Sequence, residues 1–343
     1  MVFIETFEGF ACMLNERVKI VHDEDGYGAY LEEANRIVDQ EISNVMPQIA
    51  DLELYEQVRY VLQIQGKRLR PTLVMLSAQS LGERIEPVKK LALAIEVLHT
   101  ATLIHDDILD KDLFRRNMPT VNAKWGIRDA VLVGDVLASL SLNLSADYGE
   151  DVVKIMSRTC MLLSDGEYID VENAKKRLSE NDYMLTIERK SASLFKAATQ
   201  CGAIAANAGS EEIEALAEFG ENFGLAYQIK DDLSDITALE DTIPQDINEF
   251  RATLPIIHFC EVVEPNVRRA FFEAVGTVKS QSSAEKTLFL DRLHRDLERT
   301  GSLRYCADRI NHYIDNAINS LAPLKESRYK TYLIQMADSL RSR

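Results

Sequence analysis

The chain has 343 residues, of which 46% are hydrophobic and 27% charged, and a formal net charge of -16 at pH 7. This length allows one large domain or two ordinary ones, with the composition of a globular protein. So acidic a balance argues against nucleic-acid binding, which needs a basic face, and against docking on anionic lipid.

The opening MVFIETFEGFACMLNERV has acids in its apolar stretch and no basic leader, so no secretion signal is expected. Residues 1–27 read as a possible N-terminal extension. Helical periodicity then becomes nearly continuous. LEEANRIVDQEISNVMPQI and YEQVRYVLQIQ are amphipathic at the 3.6 period. VKKLALAIEVLHTATLIHDDILD starts polar and turns apolar on almost every face, as does DAVLVGDVLASLSLNLSA, which predicts central helices. NDYMLTIERKSASLFKAATQCGAIAANA, EEIEALAEFGENFGLAYQIKDDLSDI, LPIIHFCEVV and a C-terminal third ending YKTYLIQMADSLRSR follow.

GYG near 26, LGERIEP near 81, RRNMPT at 115 and DTIPQD at 241 read as loops. With 15 Gly and 8 Pro there is little turn chemistry for an all-β fold, and no βαβ alternation, repeat or low-complexity linker is present. The expectation is one all-α domain, 1–343, a bundle of about ten or more helices. No apolar run approaches the roughly 18 residues of a membrane span, so none is expected. Five cysteines stand at 12, 160, 201, 260 and 306 without a CxxC, which predicts a reduced, cytoplasmic chain.

LIHDDILDKDLFRRN crowds aspartates at the end of an apolar helix. Asp106, Asp107 and Asp110 are spaced i, i+1, i+4, so 106 and 110 share a face. Like charges there cost stability, whereas a divalent cation would explain them: Mg²⁺ takes a few carboxylates and keeps water and phosphate as its other ligands. For one bare DDxxD a solvated helix end is the better explanation. QIKDDLSD changes that, because Asp231, Asp232 and Asp235 repeat the spacing. Two such walls suit several cations bridged by a diphosphate. Gly220 and Gly224, one turn apart, would let a neighbouring helix approach.

Basic residues cluster against the acidic average: Lys67, Arg68 and Arg70 in QGKRLRP, then Arg115 and Arg116, then Arg189 and Lys190 before SASLF. Arginine suits phosphate because its planar fork donates two parallel hydrogen bonds. Each group alone reads as a solvated basic face; beside two DDxxD motifs they read as anion ligands. His99 shares the Asp106 face two turns below, open to either a core or an anion role. His105 reads as packing.

These motifs resemble the trans-isoprenyl diphosphate synthases (polyprenyl synthetases). The resemblance covers about residues 60–255 through GKRLRP, LHTATLIHDDILD with RR beyond it, GD at 134–135, KSASLF and YQIKDDLSD. It implies an all-α, homodimeric fold around a deep cavity. It further implies that isopentenyl diphosphate adds to an allylic diphosphate, with no nucleic acid involved. Three Mg²⁺ would be held by Asp106, Asp107, Asp110, Asp231, Asp232 and Asp235. Lys67, Arg70, His99 and Arg116 would hold isopentenyl diphosphate. Arg115, Lys190 and Gln228 would hold the allylic substrate.

The chain departs from the family pattern at four points. Gln65-Gly66 replaces GG, and Asn117 replaces the glycine of RRG. The loop after the second motif lacks its lysine and carries Glu240 and Asp241, and Arg251 stands at the next lysine position. Product length is implied by Ala101 and Thr102, with Leu98 a deeper floor: small residues leave the tail pocket open, so the expected product is geranylgeranyl or longer. Competing readings are an inactive or regulatory subunit of a heteromeric synthase, a class I terpene cyclase, and a plain helical scaffold.

Overall fold

The helical pattern is realised along the whole described chain. The structure, a computed structural model, describes residues 26–173, 179–237, 253–278 and 283–341. In order, the helices are α1 (Tyr27–Val45), α2 (Tyr55–Leu62), α3 (Leu69–Ser80), α4 (Lys89–Leu109), α5 (Val121–Trp125), α6 (Ile127–Ser145), α7 (Glu150–Asn173), α8 (Glu180–Ile187), α9 (Ser193–Ala205), α10 (Ser210–Thr237), α11 (Leu254–Val262), α12 (Pro265–Val278), α13 (Ser283–Arg299), α14 (Ser302–Ser320) and α15 (Arg328–Asp338). Among the described residues the only sheet is a two-stranded hairpin, β1 (Phe114–Arg115) with β2 (Met118–Pro119), so the all-α class holds.

Helix α4 is central, as its all-round apolar sequence predicts. It packs on α1, α3, α6 and α9, and Leu91 to Leu98 are buried without interruption. Each such Leu or Ile contributes about 1.5–3 kcal/mol on burial. One core cluster includes residues from Ala34 to Leu340. A smaller one joins Ile236 to Phe259, Val275 and Leu297. Helix α10 lies directly on the Glu188–Ala205 stretch, and here the two predicted glycines matter. A Cβ at Gly220 would sit 2.5 Å from Phe195 O, and one at Gly224 2.6 Å from Ala192 Cα.

The structure adds elements that periodicity did not identify. Helix α3 buries ten of its twelve residues, so it has no polar stripe to announce it. Helix α7 was also unassigned. The helix expected over 181–208 is interrupted by a π turn, Glu188–Ala192, between α8 and α9. The RRNMPT loop contains the hairpin. DTIPQD, Glu240, Asp241 and Arg251 lie outside the described residues.

One expectation needs correction. Ile127–Tyr148 is long and apolar enough to cross a membrane by length and composition. Asp129 and Asp135 interrupt its apolar run without bringing its mean hydropathy below that of a span. It packs along α4, as a core helix that meets the same test does.

Candidate active site

Successive helical residues point about 100° apart, and α4 uses this to separate its two adjacent aspartates. Asp106 shares a face with Asp110 and His99. Its carboxyl is pushed up to about 7, first by burial and then by the nearby Glu167, with Lys190 opposing. Asp107 turns towards the hairpin and is 4% exposed. Arg115 Nε donates to Asp107 Oδ1 at 2.5 Å. Burial raises that carboxyl to about 6 even though Arg115 pulls it down. Asn122 Nδ2 donates to the carbonyls of Asp107 and Asp112, pinning the loop beyond. His105 packs against Gly134 on α6, the structural role expected of it.

The second motif divides in the same way. Asp231 is open on its outer side, and desolvation raises its carboxyl while Lys67 and Arg70 lower it. The GKRLR segment therefore lies near this acidic helix. Asp232 is buried at 7% exposure. Tyr183 O–H donates to its Oδ2 and Gln228 Nε2 to its Oδ1, both at 2.7 Å. Asp235 is exposed on the following turn.

The π turn joins the two walls. Lys190 Nζ lies 2.7 Å from both Glu167 and Asp170 on α7. Burial opposes its charge, but Asp170, Glu167 and Asp106 outweigh that and raise its pKa. The next residue, Ser191, donates from Oγ to Gln228 Oε1 at 2.6 Å. Lys190 thus acts on Asp106 through charge alone, while the adjacent Ser191 is hydrogen-bonded to Gln228 and through it to Asp232. Arg189 pairs with Asp165 instead.

The remaining predicted cations gather where α3, α4 and the hairpin meet. Arg70 Nη1 lies 3.1 Å from His99 Nε2, and its guanidinium stacks 4.1 Å above the Phe195 ring. Arg70 Nε is a buried donor without a hydrogen-bond partner among the described residues. Burial, then Arg70, holds the His99 imidazole well below its usual range. Arg116 Nη1 donates to Gln65 O at 3.0 Å. Gly66 leaves the space this guanidinium fills, since a Cβ there would collide with it. The lone glycine of Gln65-Gly66 is thus the one that lies against the Arg116 guanidinium. Arg116 and Asn117 both have positive φ, 52° and 63°, as the central pair of a two-residue hairpin needs. Asparagine is the non-glycine residue that tolerates this best, so RRN keeps the turn that RRG would make.

Ala101 and Leu98 are each 2% exposed in the core. Thr102 is half-buried, its Oγ1 bonded to His99 O. A separate cavity on the Asp107 side of α4 is lined by Arg68, Glu96, Thr100, Leu103, Arg115 and Arg116 among others.

Sequence reasoning missed Glu96, Glu167, Asp170 and Tyr183. Each acts through a partner 20 or more positions away, which no local motif reveals; single acids in GEYID and AIEVL look like ordinary helix residues. Among the described residues no three acidic, histidine or cysteine side chains converge into a ready-made metal cage. The donors nevertheless suit a hard cation: carboxylate oxygens, short of counter-charge, beside arginine and lysine that would take an anion. A cation here would complete its shell with oxygens of a bound ligand.

The polyprenyl synthetase family profile matches residues 51–291. The chain is 33% identical over 317 residues to the geranylgeranyl diphosphate synthase of Methanosarcina mazei, covering 89% of this chain and 94% of that protein. It is 31% identical over 319 residues to the octaprenyl diphosphate synthase of Escherichia coli, covering 90% and 97%. The crystal structure of geranylgeranyl pyrophosphate synthetase from Pyrococcus horikoshii superposes with a TM-score of 0.84 at 29% identity, over 93% of this chain and 99% of that one. With its two aspartate motifs and their cations in family order, the chain belongs to the polyprenyl synthetases and is a trans-prenyltransferase, an enzyme that condenses isopentenyl diphosphate with an allylic diphosphate.

Proposed function

We propose that this enzyme holds its allylic diphosphate between the two aspartate motifs and its isopentenyl diphosphate on the neighbouring cationic wall. The observation that carries this reading is the Lys190–Ser191 link between the motifs. Asp106, Asp110, Asp231 and Asp235 would contribute carboxylate oxygens to Mg²⁺. Asp107 and Asp232, held by Arg115 and by Tyr183 with Gln228, keep the walls in place and complete the acidic set. When bound, three Mg²⁺ would supply the positive charge that lets pyrophosphate leave.

The residues of this chain do the rest. Lys190, Arg115 and Gln228 orient the allylic diphosphate; Arg251, which lies outside the described residues, stands where the family pattern has a second lysine. Lys67, Arg70, His99 and Arg116 hold isopentenyl diphosphate; the partnerless Arg70 Nε is a free donor for one of its oxygens. The allylic C–O bond breaks, the isopentenyl double bond attacks the cation, and a proton is lost to the departing pyrophosphate. Apolar side chains of α4 and α9 keep water from the cation. The tail runs past Thr102 and Ala101 towards Leu98, giving a geranylgeranyl or longer product.

We read the chain as one catalytic domain and place the enzyme in the cytoplasm, where thiols such as Cys160, Cys201 and Cys306 stay reduced. A homodimer is favoured by apolar side chains left outside. Ile127, Val131 and Leu132 on α6, with Leu109, Leu113 and Phe114 beside the hairpin, are 40–67% exposed. A second copy is the natural cover for them.

The test is labelled isopentenyl diphosphate with a panel of allylic primers and Mg²⁺, product length being read by chromatography. Incorporation by the purified homomer is expected. No incorporation would favour a regulatory subunit; turnover of the allylic substrate alone would favour a cyclase.

A further inference from the structure

The GKRLRP segment carries an exposed Lys67, a partly buried Arg70 and, between them, a buried Arg68. Arg68 is 5% exposed and Glu96, on α4, 3%. Arg68 Nη1 donates to Glu96 Oε1 at 2.5 Å. Its other arm reaches Leu62 O and Asp39 Oδ1, each at 3.4 Å. Its own carbonyl accepts from Thr72 Oγ1 at 2.7 Å. One side chain thus ties the start of α3 to α1, the end of α2 and α4.

Arg68 also has φ 49°, the left-handed region, and caps the N-terminus of α3. An arginine gains nothing from that backbone, so something outside it must hold the turn. The turn sends Lys67 outward, while Arg70 lies on the first turn of α3 against His99 and Phe195. Glu96 is the buried acid behind these cations; its charge also acts on Arg70 and Arg116. Stability alone is a poor reason to keep it: a buried ion pair is often replaceable by apolar side chains at no loss.

We propose that Glu96 is a positioning residue for isopentenyl diphosphate, its buried pair with Arg68 fixing the left-handed turn that aims Lys67 and Arg70. This rests on the assignment of isopentenyl diphosphate to that wall. Glu96 is taken up by Arg68, its hydrogen-bond partner, and is not itself a ligand for an anion. It acts by fixing the spacing of the two cations before the diphosphate arrives, so binding has less to order.

The experiment compares wild type, the double variant Arg68→Met/Glu96→Leu, the isosteric Glu96→Gln, and Lys67→Ala. Readouts are KM for each substrate, equilibrium dialysis of isopentenyl diphosphate in EDTA, and Tm. In the double variant Tm stays near wild type and allylic KM within about twofold, while KM and Kd for isopentenyl diphosphate rise about tenfold or more. Unchanged isopentenyl diphosphate binding, or a matched rise in both KM values with a fall in Tm, overturns the proposal. Should the double variant not fold, Glu96→Gln decides: weaker isopentenyl diphosphate binding at near-wild-type Tm supports it, and unchanged binding overturns it. Lys67→Ala separates the two levels. If it weakens that binding and the pair variants do not, positioning alone fails; if it leaves binding intact, the wall assignment fails and the proposal with it.

Discussion

Tyr183, on α8, donates its hydroxyl to Asp232, the middle aspartate of the second motif, at 2.7 Å from a position 49 residues earlier in the chain. With Gln228 on the other oxygen, the carboxylate is held on both sides. Tyr183→Phe keeps the ring and removes the donor. It should cost about 1 kcal/mol of stability and raise the allylic KM about three- to tenfold, leaving KM for isopentenyl diphosphate unchanged. Steady-state kinetics with each substrate varied, alongside urea unfolding, will test this; equal changes in both KM values would refute it.

Adjacent aspartates on α4 should behave differently. Asp106→Asn removes a proposed metal ligand and should lower kcat on the order of 10²–10³-fold. Asp107→Asn weakens its bond to Arg115, a half-buried partner, and should cost about 1–2 kcal/mol of stability with a smaller loss of turnover. The comparison needs kcat and unfolding free energy for both variants. Equal losses of kcat would contradict the division of labour.

Ala101→Phe should shorten the product, because an aromatic ring there would fill the path of the growing tail. Chromatography of labelled products gives the answer directly. If no path exists beside Ala101, the ring instead overpacks a closed core, costing about 1–3 kcal/mol with product length unchanged. Tm and product length together distinguish the outcomes.

Mg²⁺ alone should barely shift Tm, because the described carboxylates do not form a cage by themselves. Mg²⁺ with inorganic pyrophosphate should raise it clearly, by about 2.7 kcal/mol of added stability at a hundredfold excess over Kd. Differential scanning fluorimetry with each ligand alone and both together provides the test. A large shift from Mg²⁺ alone would show that the protein binds the ion without help.

Much of this was legible in the sequence, for identifiable reasons. Helix α4 is apolar all round because it is surrounded, and its acidic end stands out against that background. The glycine pair 220 and 224 announced a close helix contact, which α10 makes. Helix α3 stayed hidden because burial on nearly every face erases the stripe that periodicity detects. The π turn at Glu188–Ala192 leaves no local trace either. Glu96, Glu167, Asp170 and Tyr183 were invisible because each draws its role from a partner brought close only by folding. Spacing puts Asp106 with Asp110 and turns Asp107 away, but that Arg115 would hold Asp107 was not legible before folding.

The hairpin tip at Arg116 and Asn117 has a consequence of its own. A left-handed arginine stores roughly 1–2 kcal/mol of backbone strain, which its hydrogen bond to the Gln65 carbonyl and the fit above Gly66 help to offset. The guanidinium is thereby cocked in place like a sprung hook. On the proposed reading, a diphosphate would meet a claw already open, the entropy of arranging it having been spent when the chain folded.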